Sequence, residues 1–91
     1  MEPTSLPGHE LVLKGIDDLA AGAETDEALL VSIGAPRLTG AGFELAQPLD
    51  EPELRLYGRL AADDEDSAHS RYNALVRRLV SFERAADALG R

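Results

Sequence analysis

The densest run of side chains able to do chemistry is His69-Ser70-Arg71-Tyr72-Asn73. An imidazole can act as a general base, a guanidinium can hold an anion, and phenol and carboxamide groups form hydrogen bonds. On a helix, Tyr72 opens an apolar seam, His69 and Asn73 lie at its margin, and the others face water. No nucleophile and base stand at a recognisable spacing, so no catalytic residue is assigned. His69, Arg71, Tyr72 and Asn73 are instead candidates for contact with a ligand or partner.

Glu83 is the fifth candidate. A helical wheel places it between Val76, Leu79, Val80 and Ala86, inside an apolar arc. An enclosed carboxylate needs a compensating charge or takes up a proton, and Arg55 or Arg59 could supply that charge. The favoured reading is that the seam emerges from the fold at this point and Glu83 reaches solvent.

Metal, cofactor and phosphate sites are not expected. The chain has no Cys and only His9 and His69 as imidazoles, far apart in sequence. The acidic run Asp63-Asp64-Glu65-Asp66 lacks the sixth-position glycine and the twelfth-position glutamate of an EF-hand loop. Gly34, Gly40 and Gly42 do not form a phosphate-binding loop, and no lysine follows them.

These residues depend on one long element. Tyr72, Leu75, Leu79, Phe82, Ala86 and Leu89 recur at intervals of three and four, which predicts a helix over 67–89 with Gly90 as its stop. Val76 and Val80 widen the stripe to about half the circumference, the width that a bundle helix buries. The acids before it suit the positive end of a helix.

Upstream, Val12, Leu13, Ile16, Leu19 and Ala20 predict a helix from Gly8 to about Ala21, which Gly15 weakens by up to about 1 kcal/mol. Thr25-Asp26-Glu27 is a strong helix start before Ala28-Leu29-Leu30-Val31-Ser32-Ile33. Leu29, Leu30, Val31 and Ile33 point nearly all round the axis, so this helix should be the most enclosed. Residues 35–42 allow at most one loose turn, and Phe43 and Leu45 anchor an extended connector. Asp50-Glu51-Pro52-Glu53 announces a helix capped by Asp50, with Leu54, Tyr57, Leu60 and Ala61 on its inner face. Leu54, Leu56 and Leu60 also alternate as strand residues would. The expected fold is therefore an all-α bundle of about four helices in one domain over 8–91, after a flexible tail at 1–7 with nothing to bury. The alternative is α+β, with a short strand near 53–60.

Composition bounds the function. The 91 residues carry a net charge of −8, split as −6 over 1–36, −5 over 37–66 and +3 over 67–91. An acidic protein repels nucleic acid and anionic membranes at long range, and no stretch approaches the roughly 20 apolar residues of a membrane span. A soluble, cytoplasmic, non-enzymatic protein-interaction module of bacterial type is expected, binding a protein partner or a second copy of itself. The motive is a stripe on the last helix wider than three short helices can cover. A ligand or enzymatic site around His69 is the second reading. Nucleic-acid binding through Arg71, Arg77, Arg78 and Arg84 ranks last, because these lie on two margins without interleaved exposed aromatics.

Overall fold

A computed structural model describes residues 6–89. The expected tail up to residue 5 and the Gly90 stop lie outside the described residues. The described chain is all α, with no strand. Its helices run in order as α1 (His9–Ala20), α2 (Asp26–Ile33), α3 (Ala35–Gly40), α4 (Pro52–Asp63) and α5 (Ala68–Leu89), with a 3-10 turn at Glu65–Ser67 before the last. The stretch that could alternate as a strand lies within α4.

Two polar devices join α1 to α2. Thr25, extended at the N-cap of α2, accepts a hydrogen bond from the Ala28 N–H at 3.1 Å. The same hydroxyl donates to Asp18 Oδ2 at 2.7 Å, so the end of α1 and the start of α2 share one capping group. Lys14 supplies the second, donating to Asp18 at 2.6 Å within α1 and lying 3.7 Å from Glu27 of α2. These hydrogen bonds from Lys14 and Thr25 hold the Asp18 carboxyl below its ordinary range. The two helices then run antiparallel as a helical hairpin.

Gly15 has a different role from the one its helix propensity suggests. A Cβ there would collide with the Glu27 carbonyl and stand 2.6 Å from Val31 Cγ1. Glycine is thus the residue that lets the two backbones meet. A similar approach occurs at Gly8, where φ is 77° and a Cβ would lie 2.7 Å from the Arg78 carbonyl oxygen. There the chain start passes against α5, and Leu6, placed by sequence in a tail with nothing to bury, is only 5% exposed.

The core is built on α2. Ala28, Leu29, Leu30 and Val31 are fully enclosed, as the all-round pattern requires, by Val12 and Leu19 of α1, Leu38 of α3, Leu56 and Leu60 of α4, and Leu79 and Phe82 of α5. Ser32 is the buried polar member. Its hydroxyl donates to the Ala28 carbonyl at 2.8 Å and accepts from the Leu49 N–H at 3.0 Å, pinning the connector after α3 to the core. Phe43 of that connector packs on Phe82 with ring centroids 5.4 Å apart.

α4 is rotated from the face expected of it. Leu56 and Leu60, four residues apart, point inward, whereas Leu54 is 68% exposed and Tyr57 39%. The neighbouring arginines match this orientation: Arg55 reaches Glu24 at 3.0 Å and Arg59 reaches Asp26 at 2.7 Å, so that edge of α4 faces the start of α2. The expected Asp50 cap is also corrected. Glu51 is the N-cap, in left-handed backbone at φ 47°, with no side-chain cap; Pro52, which has no N–H, leaves one fewer donor to satisfy. On α5, Ala68, Leu79, Phe82 and Ala86 are buried and Tyr72 and Leu75 half-buried, while Leu89 stands out at 47% exposed.

Gly15→Ala tests the helix contact. Propensity alone would raise stability by up to about 1 kcal/mol, but overpacking costs about 1–3 kcal/mol. The expected result is a thermal midpoint, followed by circular dichroism, lower by about 5 °C or more. An unchanged or higher midpoint would refute the close approach.

Candidate functional site

The five sequence candidates fall into three places. His69, Tyr72 and Asn73 line a groove of about 580 Å³ between the starts of α4 and α5, together with Glu51, Glu53, Leu54 and Tyr57. Arg71 lies away from it, donating to Asp63 Oδ2 at 2.7 Å. Glu83 lies farther along α5, against the junction of α2 and α3.

The groove follows from the rotation of α4. Turning Leu56 and Leu60 inward leaves Leu54 and Tyr57 on the side that meets the first turns of α5. There the Tyr57 and Tyr72 rings lie 5.6 Å apart at 59°, a favourable tilted geometry. Tyr72 is half-buried, and that burial, with the Glu53 charge as a smaller cause, raises its phenol pKa above the ordinary range. It therefore acts here as a neutral aromatic surface with a hydrogen-bonding tip. Asn73 Nδ2 lies 3.1 Å from His69 Nε2, one turn away, and donates to it when the neutral ring carries its proton on Nδ1. Besides His69 and the two phenols, the ionisable groups of the lining are Glu51 and Glu53, so the groove combines an apolar aromatic surface with two carboxylates.

Tyr57 and Leu54 were missed as site residues because the wheel assigned them to the core. The signal that could have found them is the pair Arg55 and Arg59. Two cations on one edge of a helix, in a chain whose first third is strongly acidic, indicate which edge faces that third.

Glu83 corrects the expectation that it reaches solvent. It is 6% exposed. Neither Arg55 nor Arg59 compensates it, since both pair with the start of α2. Burial pushes its carboxyl above the ordinary range, and the charge of Arg37 partly opposes that shift. The absence of a Cβ at Gly34 makes its room, because a methyl group there would collide with Glu83 Oε2. Arg37, Gly40, Arg84 and Asp87 line a depression of about 350 Å³ beside it.

Among the described residues no three His, Cys, Asp or Glu groups are placed to hold a metal ion, and no helix is long and apolar enough to cross a membrane. No protein-family model, curated protein or solved structure matches the chain.

Glu83 gives the site a pH signature. Its folded-state pKa lies above the ordinary 4.5, so its contribution to stability is complete below that value and is lost as pH rises through the folded one. Glu83→Gln should therefore raise the thermal midpoint at pH 7, and the gap from the parent should close as pH falls towards 4. A variant that melts lower at pH 7, or a gap independent of pH, would refute this account.

Proposed function

We propose that this chain is a non-enzymatic protein-interaction module whose contact surface is the α4–α5 groove, and that its partner presents a basic segment with bulky apolar anchors. The observation that carries the reading is the contiguity of Leu54, Tyr57 and Tyr72 on one open surface. A lone exposed leucine such as Leu89 is ordinary, but an aliphatic side chain beside two tyrosines in tilted contact is the composition of an interface centre. Covering Leu54 alone is worth about 2 kcal/mol.

The rim supports the choice of partner. Glu51 and Glu53 border the apolar floor, and the chain as a whole carries −8. Lysine or arginine on the incoming segment would gain attraction and faster encounter. A second copy brought face to face would set acidic rim against acidic rim, which weakens the self-association reading at this surface. The acidic rim also disfavours nucleic acid here. For the enzymatic reading, His69 faces Asn73 rather than a nucleophile, and Arg71 is engaged by Asp63.

The groove carries its own reporter. The chain has two tyrosines and no tryptophan, and both tyrosines line this surface, so intrinsic emission reads the groove. Peptides selected from a displayed random library on the parent chain, with depletion on Leu54→Asp, should be enriched in Arg or Lys beside Leu, Phe or Trp. A selected peptide made without tryptophan should change the tyrosine emission saturably. Its affinity should fall at least tenfold for Leu54→Asp and as salt rises. Failure to enrich any sequence, enrichment of acidic sequences, or a chain that sediments as a dimer at micromolar concentration with Leu54 covered would each overturn the proposal.

A further inference from the structure

We infer that the chain has a second binding site, for a short aliphatic carboxylate, in the cavity where α1, α2, α4 and α5 meet. The cavity has a volume of about 270 Å³ and is distinct from the α4–α5 groove. Its apolar wall is presented by half-buried Leu11 of α1 and Leu75 of α5, over the fully covered Leu30 of α2 and Leu60 of α4. The cleft is open to solvent on one side, and its volume is enough for a chain of roughly eight carbons lying along that wall. Clefts between the helices of a bundle are a recurrent place for small ligands.

The mouth specifies the head group. On α5, Arg71 and Arg78 flank Ala74, whose methyl group leaves the entrance open between them. The two arginines are seven residues apart, about 10 Å along the helix. Opposite stand Asp26 and Glu27, and both are already engaged: Asp26 accepts from Arg59 at 2.7 Å, and Glu27 faces Lys14 at 3.7 Å. Arg71 is held by Asp63. Arg78 is exposed and makes no ion pair among the described residues. The uncommitted charge at the entrance is thus a guanidinium, which favours a carboxylate over an ammonium. A ligand with its tail on the leucines and its head on Arg78 satisfies both halves of the site. A cleft of this volume takes one chain at a time, which fits a monomeric carboxylate rather than a lipid surface.

Octanoate is the probe, followed by amide chemical shifts in a 15N-labelled full chain. Saturable shifts should centre on Leu30, Ala74, Leu75 and Arg78, with no change in tyrosine emission, which separates this site from the groove. Octylammonium and acetate should each bind at least tenfold more weakly. Arg78→Glu should lose octanoate affinity at least tenfold. Ala74→Trp, which fills the mouth at an exposed helix position, should abolish binding while keeping the parent fold by circular dichroism. The proposal is overturned if octanoate gives no saturable shift, if octylammonium binds as well, if either variant binds octanoate like the parent, or if only anionic phosphatidylglycerol vesicles and not free octanoate shift these amides.

Discussion

The contact on which the rest depends is the meeting of two helix backbones at Gly15. With no Cβ between them, α1 settles against the Glu27 carbonyl and Val31. That approach lets an eight-residue helix be covered on every side. A helix so short is marginal alone, and α2 persists because its apolar residues, pointing all round the axis, find α1, α3, α4 and α5. The long helix supplies many core side chains, but its partner in holding the fold is this close approach of α1 to α2.

Polar groups set the orientation of what hydrophobic burial brings together. The start of α2 gathers Thr25 with Asp18, Glu24 with Arg55, Asp26 with Arg59 and Glu27 with Lys14. Each exposed pair is worth about 1 kcal/mol or less, too little to drive folding. Two such pairs lie on the edge of α4 that faces α2, and they are consistent with the orientation in which Leu56 and Leu60 turn inward. Leu54 and Tyr57 stay outside, where with Tyr72 they line the α4–α5 groove.

What was legible in the residues was whatever is decided locally. The Thr25 cap, the all-round pattern of α2 and the three-four spacing of α5 each lie within a few residues, and each forms as read. Choices between distant partners were not legible. Leu54, Leu56 and Leu60 fit two periods, and the ion pairs across more than thirty residues that select the true face leave no local mark. Gly15 looks like a flaw until Glu27 is placed beside it, and Leu6 looks idle until the chain start is folded back towards α5. Glu83 was found as an anomaly in an apolar arc, but its burial depends on the missing Cβ of Gly34, at the distant junction of α2 and α3. The candidate cluster on α5 was recovered in part: three of its members share a groove, but the side chains that make the groove apolar belong to α4.

The connector pinned through Ser32 has a further consequence. Leu45 and Leu49 are half-buried, and Leu49 is tied by its backbone to Ser32, whereas Ala46, Gln47 and Pro48 between them are exposed. The tether divides one long crossing into anchored feet and a free tip. Doubling the length of a flexible loop costs only about 0.6 kcal/mol in closure entropy, so foreign residues spliced in at this tip leave the feet seated. The molecule thereby has a place where evolution or an engineer can graft new sequence without disturbing the helices.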